Sequence, residues 1–106
     1  MYFHFRMVNT YRKGWKTVNE GRKMLVKDGW VTADVEAKGR FIKQKDLFGL
    51  FDVIAIKPNR TKLIQFKTNQ MPSYKPYHIF AKEYPQFEVE IWCKINYKGW
   101  RIKQIK

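Results

Sequence analysis

Three residues within "DLFGLFDVIAIKPNRTKLIQFKTN" (46–69) are of types that phosphate chemistry uses. Asp52, Gln65 and Lys67 bring a carboxylate, an amide and an ammonium into two otherwise apolar, strand-like runs. Polar groups in such runs cost free energy unless a partner or a task answers them. "PNRT" (58–61) reads as a four-residue loop between strands 50–57 and 62–68, with Pro58 and Asn59 as turn residues. Lys57 then faces Lys62, and counting back along the ladder sets Asp52 opposite Lys67, with Gln65 diagonal to it. All three project from one side of the sheet. Gln65 and Lys67 do so in any register, through the two-residue period of a strand. A one-residue change in the loop, or a bulge, sends Asp52 to the other side.

An acid, an amide oxygen and a base on one face fit metal-assisted phosphodiester hydrolysis. A hard cation such as Mg2+ takes oxygen ligands and keeps several waters. Held by Asp52 and the Gln65 oxygen, it polarises a phosphoryl oxygen and acidifies a bound water. Lys67 is then placed to orient that water or to offset charge growing in the transition state. The same residues fit a plainer role, an Asp52–Lys67 ion pair that sets strand register. Spacing alone leaves both open.

The elements that must position these groups follow from pattern. Asn9 or Thr10 caps a helix running to about Asp28, with Tyr11, Trp15, Val18 and Leu25 as its apolar stripe. Gly14 and Gly21 weaken that helix, so packing must support it, and Gly29 stops it. "WVTADVEA" (30–37) alternates like a strand, and "KGRFIKQKDLFG" (38–49) is a basic connector. Ser73 caps a second helix, 73–84, with Tyr77, Phe80, Ala81 and Tyr84 on one face; Pro76 is tolerated in its first turn and Pro85 ends it. "FEVEIWCKI" (87–95) and "GWRIKQI" (99–105) close the chain as a hairpin. The order is α-β-β-β-α-β-β, an α+β arrangement read as one domain over 1–106.

Composition narrows the function classes. Twenty-two Lys and Arg against nine acids give a net charge of +13, spread along the chain rather than gathered in one arm. Such a surface attracts polyanions, nucleic acid foremost. With 44% hydrophobic and 17% aromatic residues, the chain is too apolar for a disordered basic tail. The single cysteine, Cys93, excludes an internal disulfide and a cysteine zinc cluster, and reads as a buried filler. His4 and His78 have no metal-binding spacing and read as structural. No apolar run approaches the ~20 residues of a membrane span. "MYFHFRMV" is too short and polar for a signal peptide, so the expected location is intracellular.

"FDVIAI…KLIQFKT" resembles the signature of the PD-(D/E)XK nucleases, whose fold is called restriction-endonuclease-like. More narrowly it is similar to the Holliday-junction-resolvase and VRR-NUC branches, which include small phage and archaeal-virus members. Asp52 matches the signature Asp, Gln65 the (D/E), and Lys67 the Lys. Asp46 and Gly49 match an Asp and a Gly that often precede the metal-binding Asp, with Asp46 as a further ligand or a supporting group. The implied fold is a helix, a β-meander, a helix on the sheet and a further strand, matching residues 9–95. Phe51 stands where the signature has Pro. Gln65 stands where it has an acid, which retains an oxygen ligand and removes one negative charge. The family also supplies a carboxylate from its first helix. Glu20 is the candidate, although it lies opposite the apolar stripe, and Asp34 and Glu36 are its substitutes.

The resemblance implies a Mg2+- or Mn2+-dependent DNA endonuclease, junction-resolving in type, and a homodimer where two strands are cut. Arg40, Lys43 and Lys45 in the connector, with Arg60, Lys62 and Lys75, are the expected phosphate contacts. Tyr74 and Trp100 are aromatic enough to stack on unpaired bases or to pack in the core. Two other readings stand: a nucleic-acid-binding protein of this fold made inactive by Gln65, and an unrelated small basic RNA-binding domain.

Overall fold

The alternation of apolar residues over 53–68 and 88–95 builds a sheet buried on both faces, and each helix supplies one cover. The computed structural model describes residues 2–34 and 48–106, with side chains from Gly14 onward. The elements are α1 (Tyr2–Lys27), β1 (Val31–Asp34), β2 (Val53–Lys57), β3 (Arg60–Thr68), α2 (Lys75–Glu83), β4 (Glu88–Ile95) and β5 (Gly99–Gln104). The strands lie in the order β1-β2-β3-β4-β5. All neighbours pair antiparallel except β3 and β4, which run parallel. A parallel pair needs a crossover, and α2 provides it. The fold is α+β, with a five-stranded mixed sheet between two helices, in the element order read from the sequence.

Even-numbered residues of β3 and β4 face α1, where Ile64, Phe66 and Trp92 pack with Leu25, Trp30, Val53 and Ala55. Odd-numbered residues face α2, where Leu63, Val89 and Ile91 pack with Phe51, Tyr77, Phe80 and Ala81. Phe51 is fully buried and meets Tyr77 and Phe80 edge-on, with ring centroids 5.7 and 5.1 Å away.

Several boundaries differ from the sequence reading. α1 starts at Tyr2, so Asn9 and Thr10 lie inside it. Its buried side is Thr17, Gly21 and Leu25, and Trp15 is 58% exposed rather than part of the apolar stripe. The reason is Gly21: a Cβ there would fall on the Phe66 ring, so the helix settles on β3 through its glycine. Hydrophobic periodicity does not count a glycine. β1 is assigned over Val31–Asp34, and Trp30 precedes it in the core, donating from Nε1 to Asp28 Oδ2 at 3.2 Å. The N-cap of α2 is Tyr74, with no side-chain cap bond from Ser73.

The largest correction concerns β2 and β3. Their turn is Pro58–Asn59 alone, Asn59 taking a left-handed φ of 64°, and Lys57 pairs with Arg60 instead of Lys62. The register is therefore two residues away from the expected one. A slip of two returns every side chain to its own face. Asp52 precedes the first pair of the ladder, Val53–Ile64, and its side chain meets Gln65 and not Lys67.

Candidate active site

β2 begins at Val53, and the residues before it turn sharply. Phe48 and Gly49 both adopt left-handed backbone, with φ 55° and 71°. For a bulky residue such as Phe48 this conformation costs about 1–3 kcal/mol and persists where its surroundings hold it. It delivers Leu50 and Asp52 to the end of the sheet. The Asp52 N–H donates to Ile64 O at 3.0 Å, and its Oδ2 accepts from the Phe66 N–H at 3.0 Å. The carboxylate thereby answers a β3 donor where the β2 ladder stops.

Gln65 is 7% exposed and projects toward the α2 side between Leu63 and Lys67. With its amide oriented to pair donor with acceptor, Nε2 donates to Leu50 O at 2.8 Å and to Asp52 Oδ2 at 3.2 Å. Tyr77 on α2 donates its hydroxyl to the same Leu50 carbonyl at 3.2 Å. Asp52, Gln65 and Leu50 thus form one polar knot against α2. Lys67 continues the same face, is exposed, and forms no ion pair among the described residues.

The donors gathered here are oxygens: a carboxylate, an amide carbonyl once turned, and a main-chain carbonyl. That set suits Mg2+ or Mn2+. No group of three or more His, Cys, Asp and Glu able to hold an ion occurs among the described residues. Among the described residues, a cation at Asp52 and Gln65 would find one carboxylate beside neutral oxygens.

Other candidates have partners elsewhere. Glu20 pairs with Lys94 Nζ at 3.5 Å, and Lys94 lies on the α1 side of the sheet, opposite Gln65 and Lys67. Asp34 pairs with Arg22 at 2.7 Å. Lys62 is corrected outright: it is 8% exposed on the α1 side and paired with Glu90 at 3.1 Å, so it is no surface phosphate contact. Arg60 holds Glu88 through two hydrogen bonds of 2.8 and 2.7 Å. That bond raises the Arg60 pKa and holds the Glu88 carboxyl below its ordinary range, against the opposing effect of burial. Lys75 is exposed in the first turn of α2. Arg40, Lys43, Lys45, Asp46 and Glu36 lie outside the described residues.

Trp100 packs with Phe66 and Trp92, Tyr74 packs against the α2-side core, and Cys93 is buried and free. His78 meets the Tyr74 ring at 6.4 Å. Sequence reasoning missed Leu50, whose contribution is its carbonyl, and the Tyr77 hydroxyl. A buried tyrosine that must satisfy its O–H is a usable signal for the second. The first has only Gly49 to mark it.

The structure is similar to that of Archaeoglobus fulgidus Hjc, a Holliday junction resolvase from an archaeal hyperthermophile. The TM-score is 0.60 and the identity 18%, over 88% of this chain and 73% of that one. At that identity the likeness establishes the fold, a restriction-endonuclease-like α+β arrangement. No family model matches this chain, and no curated protein sequence matches it. Among the described residues, no helix is long and apolar enough to cross a membrane.

Proposed function

We propose that this protein is a metal-dependent DNA endonuclease of the junction-resolving type. The observation that carries this reading is the contact between Asp52 and Gln65, 3.2 Å apart and on the face that Lys67 shares, within the fold of a resolvase. Asp52 and the Gln65 oxygen would hold Mg2+ or Mn2+, which polarises the scissile phosphoryl oxygen and lowers the pKa of a bound water. Asp52 is oriented for this by the Phe66 N–H. The Lys67 ammonium would orient the attacking water or offset charge on the equatorial oxygens of the pentacoordinate transition state. The net charge of +13 draws the duplex in, and Lys75 meets its backbone on the α2 side. One such site cuts one strand, so paired cuts call for a homodimer.

The test is incubation with plasmid, single-stranded and four-way-junction DNA, with and without Mg2+ or Mn2+. Cleavage that requires the ion and disappears in Asp52→Ala and Lys67→Ala is the expected result. Metal-independent cleavage, or cleavage by the Asp52→Ala protein, refutes the reading. A second reading, a DNA-binding protein of the same fold without cleavage, draws on the two hydrogen bonds that engage the Gln65 NH2 group and on Asp52 being the one carboxylate at the knot among the described residues. Salt-sensitive binding without cuts, converted to cutting by Gln65→Glu, is its signature.

A further inference from the structure

Gln65 sits between two acceptors, Leu50 O and Asp52 Oδ2, and satisfies both through one NH2 group. The Leu50 carbonyl also accepts from Tyr77, so both of its lone pairs are engaged. An acid at position 65 offers no such donor: it would set a second anionic oxygen against Asp52 and the Leu50 carbonyl. A glutamine has a property that neither glutamate nor an apolar residue has. Half a turn about its last side-chain bond exchanges NH2 for oxygen at nearly the same place.

After that half turn, the oxygen lies where the nitrogen was, about 2.8 Å from Leu50 O and 3.2 Å from Asp52 Oδ2. Three oxygens so placed repel one another unless a cation sits among them. Mg2+ with bonds of 2.0–2.1 Å separates adjacent octahedral ligands by ~2.9 Å. These two separations bracket that edge.

We infer that Gln65 is a cation-responsive latch: its NH2 group ties Leu50 to Asp52 without metal, and its oxygen replaces that group when Mg2+ or Mn2+ enters. The inference rests on the metal-site reading above and adds to it how the site is held shut. The metal-free site is hydrogen-bonded and neutral at position 65, so the protein does not depend on the ion to keep its strands together. Leu50 retains the Tyr77 bond through the change, which fixes its carbonyl in both states. The left-handed pair Phe48–Gly49 holds that carbonyl in place from the chain side.

Two measurements test the latch. In metal-free buffer, Gln65→Glu is expected to lower the melting temperature by about 5 °C or more, and saturating Mg2+ is expected to raise it by more than it raises the unaltered protein. Equal or greater stability of Gln65→Glu without metal overturns the latch. In the unaltered protein, nitrogen-resolved NMR follows the Gln65 side-chain NH2 pair during a Mg2+ titration. The pair is expected to shift to a new position, and Asp52→Asn to abolish the shift. Movement of the Asp52 and Phe66 backbone amides with an unmoved Gln65 NH2 pair overturns the latch and leaves the metal site standing. If Mg2+ moves no resonance and Mn2+ broadens none, the metal-site reading and the turning of the amide both fall, while the metal-free melting comparison still decides the hydrogen-bonded state.

Discussion

Strand β3 carries Lys62 and Lys67 on opposite sides, and the two sides of the sheet treat a lysine very differently. On the α1 side Lys62 is buried against Glu90, Arg60 clasps Glu88, and Lys57 lies 3.6 Å from Asp28. All three cations also lie over the Trp30 ring, 4.5–4.7 Å from its centroid. Glu20 and Lys94 pair on the same side. On the α2 side Lys67 is exposed without an ion pair among the described residues, two positions from a carboxylate–amide contact. A high content of Lys and Arg thus says little about which cations meet phosphate. On one side charge is consumed in stapling β3 to β4 and the β2–β3 turn to the end of α1. On the other it is left available.

The contrast can be broken at its most buried point. Glu90 accepts from Trp92 Nε1 at 2.9 Å as well as pairing with Lys62. Glu90→Ala leaves a buried ammonium and an indole N–H without partners, and should cost about 3–5 kcal/mol. Denaturant unfolding measures this, and a loss below about 1 kcal/mol would show that the α1-side network is not truly buried. On the other side the reverse pattern is expected. Lys67→Ala should lower cleavage by about 10²–10³-fold while leaving the melting temperature within error. A large stability loss with unchanged cleavage would exchange the roles of the two sides.

Gly21→Ala probes how closely α1 must approach β3. The added Cβ meets the Phe66 ring, and overpacking of this kind costs about 1–3 kcal/mol. Unchanged stability would mean that helix and strand separate freely. The smallest effect is electrostatic. Glu88 titrates below its unfolded value near 4.5 because Arg60 hydrogen-bonds it. The pair's stabilisation is therefore present above about pH 4.5 and is lost as the pH falls through the lower folded value. Acid unfolding of Arg60→Gln should begin from a slightly lower plateau and show a weaker dependence in that window. An identical profile would mean that this exposed pair adds nothing.

The site and the α1-side network were unequally legible in sequence. Parity alone placed Gln65 and Lys67 on one face, whereas Asp52 joined them only through a loop read as four residues where the turn has two, an even error that kept its side. A two-residue slip changes the neighbour and preserves the side, so Asp52 meets Gln65 rather than Lys67. The partners of Lys62, Arg60 and Glu20 could not be read, because each pairing joins elements far apart in the chain. Arg60–Glu88 and Lys62–Glu90 depend on the parallel β3–β4 register, which the α2 crossover sets through packing. Trp15 misled for a related reason: the helix turns its glycine to the sheet, and an apolar pattern cannot weigh the value of a missing side chain.

The element order, the α+β class, the net basic charge and the shared face of Gln65 and Lys67 follow from local pattern, which the linear chain carries directly. Which cations are spent in ion pairs and which carbonyl joins the polar knot were settled only by tertiary contacts. Those choices depend on donors and acceptors that become neighbours after the sheet has formed.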